Sequence, residues 1–430
     1  MDTASFGGTA GSGGPSSPTA AGALSHIRVL DLSRILAGPW CTQILADLGA
    51  DVIKVERPGQ GDDTRTWGPP FVQDAQGADS AQSSYYTACN RNKRAVAIDI
   101  AQPEGQALVR QLAARSDVVV ENFKVGGLQR YGLDYDSLSA LNPGLVYCSI
   151  TGFGQTGPYA ARAGYDLMIQ AMSGMMSITG RADREAGGGP LKVGVAVIDL
   201  FTGTYASSAI LAALEARRAS GRGQHIDMAL LDVGMAVLAN QAAAFLNTGE
   251  TPQRMGNVHP SLAPYEDFPT ADGAMLLAIG NDGQFARFCM AADRPALAAD
   301  VRFLTNTLRV RHRAVLLPLL QAVTRERTTA DWIALLETCA VPCGPINDIG
   351  QAFADAQVQA RELAVTQTRA DGLAIRSVAS PIRLSATPPV LRHAPPALGE
   401  HTAQVLDELG VDGAAPVSYT HLRAHETRED

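Results

Sequence analysis

Asp51-Val-Ile-Lys-Val-Glu56 is the stretch on which the fold turns, a six-residue run rich in β-branched side chains. Runs of this length and composition read as buried strands. Similar runs lie on either side of it: Ile27-Arg-Val-Leu-Asp-Leu32, Ala95-Val-Ala-Ile-Asp99, Asp117-Val-Val-Val-Glu121 and Leu145-Val-Tyr-Cys-Ser-Ile150. Helical patterns occupy residues 39–48 and 104–115 between them. Short apolar strands alternating with helices predict an α/β fold with a mostly parallel, doubly wound sheet. Ligands of such sheets bind beyond the carboxyl ends of the strands. Those ends carry Arg34, Arg57, Asn122-Phe123 and the loop that begins at Gly152.

Two helices are expected next, near residues 165–177 and 200–217, then a strand-to-helix segment at 225–246. From 250 to 340 the pattern changes to a short strand region (274–279) among several helices. The expected organisation is therefore a disordered extension (1–25), a large domain begun by 26–225, a small α+β domain (226–339) and a return to the large domain (340–412). The extension is rich in Gly, Ser, Ala and Thr and lacks the features of a secretory or mitochondrial leader. Residues 413–430 form a tail in which Pro416-Val-Ser-Tyr-Thr-His-Leu-Arg-Ala-His-Glu-Thr427 reads as a translated sequencing adapter, so His421 and His425 stay outside the argument. No segment reads as a membrane span.

The 430 residues are 46% hydrophobic and 18% charged, ordinary for a globular protein. A formal net charge of −8 without a basic run argues against nucleic-acid and membrane-surface partners. Six scattered cysteines and the histidine spacings offer no metal site, and a reducing, cytoplasmic setting is expected. Gly152-Phe-Gly-Gln-Thr-Gly157 spells a dinucleotide fingerprint, but Pro158-Tyr159 follow where a helix would have to open, so NAD is rejected. Phosphate-loop and nucleophile-elbow motifs are missing. Asp199, in Val197-Ile-Asp-Leu-Phe-Thr-Gly-Thr-Tyr205, sits between an apolar run and a small-residue helix. It reads as an N-cap or as a carboxylate nucleophile held ionised by helix N–H groups. Arg57, Lys93-Arg94 and Arg130 gather cations near one sheet edge, as a phosphorylated ligand needs.

Val29-Leu-Asp-Leu32 with Ala37-Gly-Pro39, Gly49-Ala-Asp-Val-Ile-Lys-Val-Glu-Arg-Pro-Gly59, Asn92-Lys-Arg94, Asp117-Val-Val-Val-Glu-Asn-Phe123, Gly152-Phe-Gly-Gln-Thr-Gly-Pro-Tyr159, Gly221-Arg-Gly-Gln224 and Gly399-Glu-His-Thr402 occur in that order. Together they resemble the class III CoA-transferases. The resemblance implies an interlocked homodimer with a Rossmann-like sheet in a discontinuous large domain, which binds coenzyme A as a substrate; no tightly held cofactor and no metal are implied. It makes Asp199 the nucleophile of a covalent transfer through an aspartyl anhydride and an aspartyl–CoA thioester. Ala37, Arg57, Ile98, Asn122, Phe123 and Arg130 match positions that contact CoA in formyl-CoA transferases. Tyr165, Asp166, Gly256, Asn257 and His259 are candidates for substrate or oxyanion contacts. For His259 alone, a loop-packing role is the plainer reading.

Within the same fold, α-methylacyl-CoA racemases carry Gly-His-Asp where this chain has Gly164-Tyr165-Asp166. A tyrosine, with an ordinary pKa of about 10, is a poor base near neutrality, which favours transfer over racemisation. Leu36 replaces a glutamine of the oxalate enzymes, and Met255-Gly-Asn-Val-His-Pro260 lacks their four glycines. Gly280-Asn-Asp-Gly-Gln-Phe285, residues 305–313 and Cys343-Gly-Pro-Ile-Asn-Asp348 resemble the succinyl-CoA:glutarate branch. That branch implies succinyl-CoA as donor and a dicarboxylate such as glutarate as acceptor. Arg34, Arg309 and Arg311 are guesses for the distal carboxylate.

Overall fold

The computed structural model describes residues 22–411. The whole of the expected tail (413–430) and residues 1–21 of the expected extension lie outside them. Residues 22–25 do not belong to a disordered arm: they enter a turn in which the Leu24 N–H bonds the Leu48 carbonyl at 2.9 Å.

The central sheet has six strands: β1 (Arg28–Asp31), β2 (Asp51–Glu56), β3 (Lys93–Ala97), β4 (Val118–Glu121), β5 (Val146–Thr151) and β6 (His225–Ala229). All neighbouring pairs are parallel and the order is β3-β2-β1-β4-β5-β6, that of a doubly wound nucleotide-binding sheet. Strands buried on both faces explain why the runs are apolar almost throughout rather than alternating. One core cluster joins Leu30, Ile53, Val96 and Val119 to Leu108 and Leu112 of the crossover helix Pro103–Ala114.

Helices α1 (Ala37–Asp47), α2 (Asp166–Met172) and α3 (Val197–Ser220) carry Ala37, Asp166 and Asp199, and α4 (Thr402–Leu409) packs on the sheet. The single helix expected over 165–177 is broken after α2, where Gly174 takes φ of 90° before a short turn of helix at Met175–Ile178. The helix expected at 200–217 starts earlier, so Asp199 is the third residue of α3 and lies in its first turn rather than at its cap. This helix also corrects the membrane reading. By length and hydropathy it passes as a span, a property its many alanines hide from a search for bulky apolar runs. Its Arg217 nevertheless pairs with Asp117 at 2.8 Å.

The chain folds as two compact units whose segments interleave. The described part of the first comprises residues 22–164, Asp199–Val233 and 363–411; the second comprises Tyr165–Ile198 and Gly234–Glu362. These divisions fall elsewhere than the 26–225, 226–339 and 340–412 segments expected from the sequence: 165–198 and 340–362 group with the smaller unit. The second unit has its own core, built by Phe268, Met275, Leu277, Phe288 and Trp332 around a three-stranded antiparallel sheet of Tyr265–Pro269, Ala274–Ala278 and Cys343–Pro345.

β3 is an edge strand, and the C-terminal segment covers it. The Asn92 N–H bonds the His393 carbonyl at 2.9 Å, the His401 N–H bonds the Ala95 carbonyl at 2.9 Å, and the Ala97 N–H bonds Thr402 Oγ1 at 3.0 Å. α4 then buries Val405, Leu406 and Leu409 in the sheet's core.

Candidate active site

In the first unit, a cavity of about 350 Å³ opens beyond the carboxyl ends of β1 to β4. Leu32 and Arg34 follow β1, Glu56 and Arg57 end β2, Ile98 to Ala101 follow β3, and Phe123 follows β4. Tyr131 completes the wall. The sequence-predicted Arg57, Ile98 and Phe123 are thus brought together, with Ile98 buried as an apolar floor and Arg57 exposed as the cation.

The loop from β1 into α1 is held at residue after residue. Lys54 Nζ donates to the Ser33 carbonyl (2.7 Å). Asn122 accepts from the Arg34 N–H (2.9 Å) and donates to the Arg34 carbonyl (2.7 Å). Both Asp62 oxygens accept from the Ile35 N–H at 3.2 Å. Ile35 has φ of 73°, a strained value for a β-branched residue, and these bonds hold it there. Asn122 therefore binds the protein's own loop through both atoms of its amide.

Beneath this loop lies a buried charge network. Lys54 pairs with Asp62 at 2.9 Å and Lys93 with Asp31 at 3.1 Å, all four side chains fully enclosed. Burial alone would raise the Asp31 carboxyl, but Lys93, Lys54 and hydrogen bonds from Ser33 and Thr42 outweigh it and bring it down to about 2. Burial likewise opposes the charge on Lys54, and Asp62, Asp31 and Glu56 overcome it and raise its pKa. Glu56 is itself gripped by Arg65 at 2.8 and 2.7 Å. A sequence reading could not find the pair at its centre, because Asp31 and Lys93 stand 62 positions apart.

Of the remaining predicted CoA positions, Arg130 is exposed and its guanidinium stacks on Tyr131, 4.5 Å from the ring centre. Ala37 is buried at the start of α1. There α1 meets α3 at a glycine: a Cβ added to Gly203 would stand 2.5 Å from the Ala37 carbonyl oxygen. Asp199 lies four residues earlier, on the same face of α3 as Gly203, half-buried in the helix's first turn, where the helix dipole favours negative charge.

In the second unit, Tyr165 stands exposed before α2 and Asp166 opens that helix. The Gly256 N–H is taken up by the Gly180 carbonyl (3.1 Å), and the Asn257 side chain donates to Asp267 (2.9 Å). His259 Nδ1 accepts from the Ser261 N–H (3.0 Å), and its ring lies beside Tyr265, the loop-packing role. Arg309 is fully buried, donating to the Ala263 and Phe303 carbonyls and pairing with Asp282, so it is structural. Arg34 is paired with Asp63 (2.8 Å), whereas Arg311 is exposed.

The sequence profile of CoA-transferase family III matches residues 24–402. The chain is 56% identical over 386 residues to the succinate–glutarate CoA-transferase of Agrobacterium fabrum, covering 90% of this chain and 95% of that protein. It is 42% identical to the human succinyl-CoA:glutarate CoA-transferase, covering 90% and 86% of the two chains. The crystal structure of a CAIB/BAIF family protein from Brucella suis superposes with a TM-score of 0.77 at 51% identity, covering 89% of this chain and 98% of that one.

Proposed function

The chain belongs to CoA-transferase family III, and from that premise we propose that it moves CoA from succinyl-CoA to glutarate or a similar dicarboxylate. The observation that carries the substrate pair is the likeness to the Agrobacterium succinate–glutarate enzyme. CoA would lie with its phosphates near Arg57 and its apolar parts against Ile98 and Phe123, in the cavity at the strand ends. Ala37, Asn122 and Arg130 would then support that cavity rather than line it.

In this reading Asp199 is the nucleophile. Its carboxylate attacks the succinyl thioester carbon and CoA leaves as thiolate, giving a succinyl–aspartyl anhydride. The thiolate attacks the aspartyl carbonyl and releases succinate, leaving an aspartyl–CoA thioester. Glutarate attacks that thioester, expelling CoA thiolate and forming a glutaryl–aspartyl anhydride. Attack by the thiolate on the glutaryl carbon yields glutaryl-CoA and restores the carboxylate. Each addition develops an oxyanion that backbone N–H groups would stabilise. For Gly256 that role requires opening its bond to Gly180, a movement its positive φ of 63° allows to a glycine.

The first unit would be the CoA-binding large domain and the second the small domain of an interlocked homodimer. Phe201, Tyr205 and Leu211 of α3, each more than a third exposed, support a partner covering that helix. The racemase alternative gains nothing: Tyr165 stands where a racemase needs its base.

The deciding experiment offers succinyl-CoA with a panel of mono- and dicarboxylic acids to the wild type and to Asp199→Ala, reading acyl-CoA products by mass spectrometry. Glutaryl-CoA formed by the wild type and lost in the variant is the expected result. A flat profile across acids, or transfer undiminished in the variant, would overturn the proposal.

A further inference from the structure

The segment that leads into Asp199 has little to hold it by itself. Residues 187, 188, 189 and 194 are glycines, and no helix or strand forms between 189 and 196. A glycine-rich connection of this kind has wide backbone freedom. Two side chains of α2 restrain it at both ends. Asp166 Oδ1 accepts the N–H of Ile198, the residue before Asp199, at 2.8 Å. Asp166 Oδ2 accepts from Gln170 Nε2 at 2.6 Å. Gln170 Oε1 in turn accepts the Val193 N–H at 2.9 Å.

Gln170 is fully buried, and it alone in this chain of bonds can face both ways. A carboxylate only accepts and a backbone N–H only donates, so an amide between them has one serviceable orientation. We propose that Gln170 and Asp166 are paired positioning residues, pinning Val193 and Ile198 so that the Asp199 carboxylate is presented at a fixed height. This assigns a part to Gln170 and moves Asp166 from substrate contact to support, since both of its oxygens already accept bonds within the protein. The inference rests on Asp199 being the nucleophile.

The chemistry of the pair supplies its own test. Asp166→Asn keeps an acceptor for Ile198 but turns a donor toward Gln170 Nε2, and the bond is lost. Gln170→Glu alone sets two carboxylates against each other. Combined, the new amide at 166 donates to the new carboxylate at 170, whose other oxygen still accepts from Val193. The chain of bonds is rebuilt with one link reversed and the net charge unchanged.

Each single variant is expected to lower kcat about 100-fold with KM for both substrates nearly unchanged, as displacement of a reacting group does. The double variant should recover about tenfold or more over Asp166→Asn, as coupled neighbours do. Circular dichroism establishes that each is folded; if Gln170→Glu fails that check, Asp166→Asn against the double variant still gives the rescue. A double variant no better than Asp166→Asn, or losses that appear in KM for the acid, would overturn the pairing. Trapping the CoA adduct on the Asp199 peptide separates the two levels. A wild type that turns over without the adduct removes the nucleophile reading and the inference with it, whereas an adduct without rescue removes the inference alone.

Discussion

Glu121, the last residue of β4, keeps its carboxyl group buried at the sheet's ligand edge. Burial raises it to about 7, and its bonds to Ser149 and the Phe123 N–H offset only part of the cost. The native state therefore holds this proton up to about neutrality, while the unfolded chain releases it near the ordinary value of about 4.3. Between those values the unfolded state binds fewer protons, so this group lowers stability as pH rises from about 4.5 to 7. Glu121→Gln keeps an acceptor for the Phe123 N–H and removes that dependence. The variant should be more stable than the wild type by about 1–3 kcal/mol at pH 8, and close to it at pH 4.5. Urea midpoints at the two pH values measure the difference, and an equal gap at both would refute the assignment. Asp31 behaves oppositely: with a carboxyl held at about 2, its contribution persists through neutrality and is lost only as pH falls toward that value.

At the scale of elements, the crossing of α1 and α3 depends on one missing side chain. A Cβ at Gly203 would press on the Ala37 carbonyl oxygen at 2.5 Å and on Trp40 Cβ and the Cys41 nitrogen at 3.1 Å. Backbone cannot yield as a flexible side chain can. Gly203→Val should therefore cost about 1–3 kcal/mol and push Asp199 away from the start of α1, lowering kcat more than thermal stability suggests. Thermal unfolding and steady-state kinetics check the two parts, and an active, wild-type-stable variant would refute the close approach. The strands were legible because runs such as Asp51–Glu56 are buried on both faces and carry their pattern locally; the structure returns that one unchanged. So was the place of the cavity at the strand ends, since a parallel sheet fixes where Arg57, Ile98 and Phe123 converge. The start of α3 was not, because Val197 and Ile198 belong to an apolar run that carries no helix-start signal, and the structure places both inside the helix. Nor was the work of Asn122, whose contact with Arg34 spans 88 positions.

For the whole molecule, the exposed apolar residues along α3 bear on assembly. Light scattering on the purified chain should give twice its 45.1 kDa mass, and a persistent monomer with full activity would refute the dimer. The cover over β3 bears on something else, the order in which a ribosome releases the chain. Strands β1 to β3 emerge some 300 residues before His401 and Thr402, the groups that bond Ala95 and Ala97. Throughout that interval of synthesis the edge of β3 is an open row of N–H and C=O groups, the kind of surface on which strands of other chains pair. A chain ended at residue 398 should therefore accumulate in the insoluble fraction even though the cavity, Asp199 and α2 are all present in it. Helix α4 would then act as the seal on an edge that must wait for it, and faster translation or a chaperone that shields nascent strands should change the yield of this protein without altering any contact in its finished form.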